Sequence, residues 1–160
     1  MIIETLAYHK HLFTPVDRTL ELYFAGCHSN CPGCHNKELQ VQSKDNCNWK
    51  TPISICSELV DYIPIAKQVH ILGGEPLNQP AEAINELTYH LKTLGFTNII
   101  LFTGYDILPE SISKTNKIFE YIDYVKTGRF VPELPNTEKV PDPETGIILA
   151  TTNQKIYKVN

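Results

Sequence analysis

The sequence has no apolar run close to the roughly 20 residues that a membrane-spanning helix requires. Its first residues, MIIETLAYHKHLF, also lack the basic start and the long apolar stretch of a secretory signal peptide. We therefore expect a cytoplasmic protein with no membrane partner. In that compartment thiols are kept reduced.

Basic residues are not in excess. The chain has 14 Lys and Arg against 18 Asp and Glu, which gives a net charge of -4, and the lysines are scattered. This excludes the basic footprint of a nucleic-acid-binding protein. Internal repeats and low-complexity tracts are also missing. With 160 residues, 42% of them hydrophobic, the composition indicates a single globular domain over residues 1–160.

Cysteines are few, and their odd number of five argues against a closed disulfide framework. Three of them, Cys27, Cys31 and Cys34, lie within the stretch FAGCHSNCPGCHN. A structural zinc site normally takes four ligands from two separated pairs, so His28 or His35 would have to complete one here. Three thiolates on one loop are better suited to a 4Fe-4S cluster with one iron left open for a ligand. We expect structural roles for Cys47 and Cys56.

Strand and helix patterns alternate along the chain. Apolar periodicity, Gly and Pro predict the following elements in order: a strand over 19–25, a helix from Thr51-Pro52 to Pro64, a strand over 68–72, a helix from Pro80 to Gly95, a strand over 98–103, a weaker helix over 110–122 and a short strand over 124–126. Beyond Gly128, prolines indicate an irregular but ordered segment in which only GIILATTN and QKIYKV look regular.

This alternation predicts an α/β fold with a mostly parallel sheet covered by helices. A full eight-unit barrel takes about 250 residues, so the chain has room for an incomplete, laterally open (β/α) barrel. The cysteine run, Gly73-Gly74-Glu75-Pro76 and Thr103-Gly104-Tyr105 each follow a predicted strand. Since parallel strands end at one edge of a sheet, we expect these three loops to converge there.

Two of these motifs resemble those of the radical S-adenosylmethionine (SAM) superfamily, namely CxxxCxxC and the GGEP sequence after the next strand. In finer detail the chain resembles the activating proteins of anaerobic ribonucleoside-triphosphate reductase, which are small glycyl-radical-enzyme activases. The stretches that carry this resemblance are Val16-Asp17-Arg18, Phe24-Ala25-Gly26-Cys27, Cys31 to Asn36, Thr103-Gly104-Tyr105 and, more weakly, DYVKTGRF (123–130) and Thr152-Asn153-Gln154.

The resemblance implies an oxidoreductase with a barrel of the radical SAM type. Its 4Fe-4S cluster would be held by Cys27, Cys31 and Cys34. Reductive cleavage of SAM would give methionine and a 5′-deoxyadenosyl radical, which would take a hydrogen atom from a glycine of the reductase large subunit. An electron donor such as flavodoxin or ferredoxin would be a further partner.

The SAM contacts implied by the resemblance involve Gly33, Cys34, His35, Gly73, Gly74, Glu75 and Thr103. Many radical SAM proteins carry an aromatic residue where this chain has Gly33, and His35 resembles the aromatic residue of the finer family. Because glycine allows close backbone approach, we expect a side chain at Gly74 to obstruct SAM without disturbing the iron ligands.

Two other functions remain open at this stage. The first is a radical SAM enzyme with a small-molecule substrate, similar to carboxy-deazaguanine synthase, which would need a closed substrate pocket. The second is a non-enzymatic iron-sulfur or zinc module. It would leave the GGEP and TGY motifs unexplained.

Overall fold

The computed structural model describes residues 4–27, 34, 37–42 and 47–160. These residues form a seven-stranded sheet and two α-helices. The elements are β1 (Leu6–Thr14), β2 (Thr19–Phe24), β3 (Asn48–Lys50), α1 (Pro52–Ser57), β4 (Gln68–Gly73), α2 (Ala81–Leu94), β5 (Ile99–Phe102), β6 (Tyr124–Thr127) and β7 (Lys155–Lys158).

The strand order is β3-β1-β2-β4-β5-β6-β7. The four central strands β2, β4, β5 and β6 are parallel to one another. The outer strands β1, β3 and β7 pair antiparallel with their neighbours. The predicted mostly parallel α/β sheet is therefore confirmed. The sheet that the described residues form is open, with β3 and β7 as its outermost strands.

The main hydrophobic core lies on the face of the sheet that α1 and α2 cover. Leu22 of β2, Ile71 of β4 and Leu101 of β5 are fully buried there with Ile84 and Leu87 of α2. Each of these strands alternates, so its other residues lie on the opposite face of the sheet. None of the helices in the described part of the chain is long and apolar enough to cross a membrane.

Local sequence signals fix both helices. The Thr51 hydroxyl accepts a hydrogen bond from the backbone N–H of Ser54 at the start of α1, and Pro52 takes the first helical position. Helix α2 ends at Gly95, whose φ of 109° is in the left-handed region that favours glycine. These predicted boundaries are confirmed.

One predicted helix is shorter than expected, and another does not form. Helix α1 ends at Ser57, and a 3-10 turn over Val60–Tyr62 replaces its predicted last turns. The N–H groups of Glu58 and Leu59 donate to the carbonyls three residues back, those of Ile55 and Cys56, so the chain changes to 3-10 geometry well before Pro64. Between residues 110 and 122 only the 3-10 turns Pro109–Ser111 and Lys117–Phe119 form.

The predicted helix over 110–122 is wrong because polar side chains there bind the local backbone. The Asn116 side chain accepts from the N–H of Ile118 and donates to the carbonyl of Ser111, while the Ser113 hydroxyl accepts from the N–H of Thr115. Such bonds compete with helical hydrogen bonds. Within the C-terminal segment, GIILATTN forms no strand beyond a single bridge at Thr151, whereas QKIYKV contains β7.

Candidate functional site

Three strand ends define the site. The chain leaves β2 toward Cys27, β4 toward Gly74 and Glu75, and β5 toward Thr103, all at the carboxyl edge of the parallel strands. A cavity of about 220 Å³ opens at this edge, and its lining includes Cys27, Cys34, Gly73, Gly74, Glu75 and Thr103. The structure therefore brings these predicted site residues together.

Two of the three predicted iron ligands are within the described residues. The Cys27 and Cys34 side chains both line the cavity, are partly exposed and form no disulfide. Cys31, Gly33, His28 and His35 lie outside the described residues. No three His, Cys, Asp or Glu side chains within the described ranges are close enough to hold a metal ion.

The available donors fit an iron-sulfur cluster. Thiolate sulfur is the usual protein ligand of such clusters, and Cys31 lies between these two cysteines in the sequence. The other two cysteines lie elsewhere. Cys47 packs in a small cluster with Ala7, Ala25 and Leu39, whereas Cys56 is in the main core, where burial raises the pKa of its thiol to about 12. A thiol with so high a pKa is a poor ligand.

Backbone hydrogen bonds hold Gly26 and Cys27, the first residues of the cysteine segment 26–36, which we call the cysteine loop. The N–H of Gly26 donates to the carbonyl of Leu39 at 2.6 Å, and the N–H of Cys27 donates to Gln40 at 3.0 Å. From the other side, the N–H of Glu75 donates to the carbonyl of Gly26 at 2.8 Å. The GGEP loop therefore packs directly on the backbone that carries Cys27.

This packing explains both glycines of the GGEP loop. Gly73 has a φ of 120°, and a Cβ atom there would clash with the backbone of Phe24. A Cβ atom at Gly74 would lie 2.5 Å from the carbonyl oxygen of Gly26 and 2.8 Å from that of Leu39. A side chain at Gly74 would therefore displace the strand end that leads to Cys27, so this geometry argues against the expectation that such a side chain leaves the iron ligands undisturbed.

Glu75 ties the GGEP loop to the TGY loop. Its buried carboxylate accepts from the N–H of Leu77 at 3.0 Å and from the N–H of Gly104 at 2.7 Å. Burial raises the pKa of Glu75, while these hydrogen bonds and one from Thr103 act in the opposite direction. Both carboxylate oxygens are thus engaged in ordering the two loops.

Three further hydrogen bonds hold the TGY loop. The N–H of Thr103 donates to the carbonyl of Lys126 at 2.9 Å, and the Thr103 hydroxyl accepts from the N–H of Tyr105 at 3.1 Å. The Tyr105 hydroxyl donates to the Asn78 side chain at 2.7 Å. Thr103 therefore lines the cavity with its hydroxyl already used as an acceptor.

Sequence reasoning missed Lys126 as a residue of the site. Its side chain lines the cavity with the ammonium 5.1 Å from the centroid of the Phe102 ring. Burial lowers the pKa of Lys126 to about 8, and no ion-pair partner for it is found among the described residues. The sequence feature that could have identified Lys126 is its position near the carboxyl end of the short predicted strand within DYVKTGRF.

The C-terminal segment supplies the remaining wall. Arg129, Phe130, Ala150 and Gln154 also line the cavity. The buried Gln154 amide donates to the carbonyl of Gly128 at 3.1 Å and accepts from the N–H groups of Ala150 and Thr151. This side chain fastens the segment against the end of β6.

Comparison with known proteins agrees with an iron-sulfur cluster. Residues 18–144 match the family described as 4Fe-4S single cluster domain, and the chain belongs to that family. Among curated proteins it is similar to the anaerobic ribonucleoside-triphosphate reductase-activating protein of Escherichia coli K12, with 27% identity over 133 residues that cover 78% of this chain and 86% of that protein. The protein of the same name from Salmonella typhimurium LT2 is 27% identical over 134 residues, with the same coverage.

Proposed function

We propose that this protein is a radical SAM activase that generates a glycyl radical on an anaerobic ribonucleoside-triphosphate reductase. The observation that carries the proposal is the convergence of Cys27 and Cys34 with the GGEP and TGY loops on one cavity. The names of the relatives supply the partner. The open, mostly parallel sheet is compatible with an incomplete barrel of the radical SAM type. We further propose a single domain that works in the cytoplasm.

The cysteines would hold the inorganic cofactor. Cys27, Cys31 and Cys34 would each ligate one iron of a 4Fe-4S cluster and leave the fourth iron open. When bound, the cluster would deliver the electron, obtained from a donor such as flavodoxin or ferredoxin, that splits SAM into methionine and a 5′-deoxyadenosyl radical. The protein contributes binding, orientation and exclusion of competing reactants.

Residues on different sides of the cavity would each contact a different part of SAM. The backbone at Gly73 and Gly74 and the Thr103 side chain form one wall, and Gly33 and His35 would add contacts from the cysteine loop. Lys126 presents a positive charge that the described residues do not neutralise, so it would bind the carboxylate of the methionine portion. Because Glu75 already accepts two backbone hydrogen bonds, its role would be to fix the loops.

Apolar side chains make the rest of the cavity suitable for a reactive radical. Leu72, Phe102 and Phe130 are part of its lining. They would keep water away from the reacting carbon and leave the partner glycine as the available hydrogen donor. Access for that glycine is consistent with a cavity that opens at the sheet edge.

A product assay tests the proposal. Protein with an anaerobically reconstituted cluster is incubated with SAM and dithionite, with and without the reductase from the same organism, and methionine and 5′-deoxyadenosine are quantified. We expect both products in equal amounts, with formation stimulated by the reductase and abolished in Cys27→Ala but not in the control Cys47→Ala. No cleavage by the wild type would reject the proposal. Turnover of a small molecule without reductase would instead favour a substrate of the carboxy-deazaguanine synthase type.

A further inference from the structure

A buried amide side chain joins the segment after the GGEP loop to the strand end that leads to Cys27. Gln79 follows the GGEP loop and is only 4% exposed. Its Nε2 donates to the carbonyl of Ala25 at 2.8 Å, and its Oε1 accepts from the N–H of Ala7 at 2.9 Å. Since one end of the amide faces a carbonyl and the other an N–H, only this orientation of the side chain satisfies both partners.

The two backbone groups that Gln79 binds belong to the strand ends beside the cysteine loop. Ala25 lies two residues before Cys27, and its N–H donates to the carbonyl of Ala7 at 2.8 Å. The register between β1 and β2 shifts between Tyr8 and Lys10. At this irregular end of the ladder, the Gln79 amide binds the N–H of Ala7 and the carbonyl of Ala25.

Backbone contacts also join these segments, but they do not depend on a side chain. The N–H of Gly74 donates to Phe24, and that of Glu75 donates to Gly26. The exposed Gln42 donates to the Ala25 carbonyl as well, at 3.1 Å, where water can replace it. Among the described residues, Gln79 therefore adds a buried side-chain link between the strand end before Cys27 and the segment after the GGEP loop, beside these backbone bonds.

The geometry points to Gln79 as a positioning residue for SAM binding that lies outside the cysteine and GGEP motifs. It holds the backbone before Cys27 at a fixed distance from the loop of Gly73 and Gly74, so that one SAM molecule reaches both. This inference rests on the proposed function. Gln79 does not line the cavity and touches no reacting atom, and it acts through the two loops that it joins.

The test separates SAM affinity from cluster assembly and from stability. Gln79→Leu removes both hydrogen bonds, whereas Gln79→Glu keeps an acceptor for Ala7 and, when ionised, cannot donate to Ala25. The matched control is Gln68→Leu, which removes the hydrogen bond of 3.0 Å from the Gln68 amide to the Thr19 hydroxyl. This bond lies at the amino-terminal ends of β2 and β4, away from the cavity. Iron and sulfide content, the melting temperature of the apoprotein and a SAM titration followed by the electron paramagnetic resonance of the reduced cluster are measured for each.

We expect full iron content in both Gln79 variants and a Kd for SAM that rises by roughly tenfold or more. The control Gln68→Leu should keep the wild-type Kd even where its melting temperature falls. An unchanged Kd in Gln79→Glu, an equal loss of affinity in Gln68→Leu, or iron lost from folded Gln79 variants would overturn the inference; should Gln79→Leu not fold, Gln79→Glu decides. If the wild type itself shows no response to SAM, the proposed function fails instead.

Discussion

At the scale of single residues, two ionisable side chains at the same cavity have different tasks. The carboxylate of Glu75 is buried but accepts hydrogen bonds from Leu77 and Gly104. The ammonium of Lys126 is partly buried beside Phe102, with no carboxylate paired to it among the described residues. The hydrogen-bonding capacity of the first group is satisfied by the fold, whereas we propose that the second group binds an anionic ligand.

Lys126→Met should make the apoprotein more stable and SAM binding weaker. Burial lowers the pKa of Lys126 from 10.5 to about 8, so the folded state disfavours the charge that the unfolded state carries freely. The contribution of this residue to the stability of the wild type is therefore most favourable above pH 10.5 and decreases as the pH falls from there to about 8.

At pH 7 we expect the variant to gain about 1 to 3 kcal/mol in free energy of unfolding, and this gain should shrink as the pH approaches 10. The Kd for SAM should rise roughly tenfold because a charge-assisted hydrogen bond is lost. Urea unfolding at several pH values and a SAM titration measure the two effects. A variant that is less stable at pH 7, or that binds SAM normally, would contradict this role for Lys126.

The cysteine assignment makes a separate prediction. Alanine at Cys27, Cys31 or Cys34 should abolish the reconstituted 4Fe-4S cluster, since a compact set of three thiolates has no spare ligand. Alanine at Cys47 or Cys56 should cost some stability, because both side chains are buried, but leave the cluster intact. Iron and sulfide analysis of the anaerobically reconstituted variants shows which cysteines the cluster requires. Full cluster content in Cys31→Ala would refute the three-ligand set.

At the scale of elements, local signals determined what could be predicted. The 3.6-residue stripe of α2, with Gly95 at its end, defined that helix, and apolar runs defined β4 and β5. The sequence does not predict strand β1 because apolar and polar residues do not alternate regularly along LAYHKHLFT. The register with β2 also shifts there, between Tyr8 and Lys10. Strand β3 has only three residues, too few for a periodic signal.

Packing of one loop on a strand end gives the next prediction. Gly74→Ala places a Cβ atom 2.5 Å from the carbonyl oxygen of Gly26, and backbone atoms cannot move aside as a flexible side chain can. We expect a loss of about 2 to 4 kcal/mol in free energy of unfolding, together with a reduced yield of cluster.

The control for Gly74 is Gly146→Ala. Gly146 has a φ of 75°, but no atom lies within 4 Å of the position that a Cβ atom would take there. The substitution therefore adds only the strain of a left-handed residue, about 1 kcal/mol. Chemical unfolding and iron analysis of both variants give the comparison. Equal effects in the two variants would show that contact with Gly26 and Leu39 does not matter.

At the scale of the whole molecule, the parallel connectivity places the site. Alternating strands and helices predict that successive loops meet at one edge, and Cys27, Gly73, Gly74, Glu75 and Thr103 line one cavity there. Lys126 and Gln79 could not be predicted in the same way. The importance of Lys126 depends on burial beside Phe102, and that of Gln79 depends on two backbone groups distant in sequence.

The proposed open iron and the open cavity together predict sensitivity to oxygen. A cluster with one iron unligated by protein has that iron exposed to oxygen, so its visible absorption should be lost in air faster than that of a fully ligated cluster. Saturating SAM, which would occupy the open iron, should slow the loss. An absorption spectrum that stays unchanged for hours in air would argue for a fully ligated cluster.

The most direct test of the account is the appearance of a glycyl radical on the partner. The reconstituted protein, SAM and a reductant are mixed anaerobically with the anaerobic ribonucleoside-triphosphate reductase, and the sample is examined by electron paramagnetic resonance. We predict a stable signal of a carbon-centred glycyl radical that requires SAM and Cys27, persists in Cys47→Ala and is lost when the partner glycine is replaced by alanine. SAM cleavage without any radical on the reductase would contradict the account.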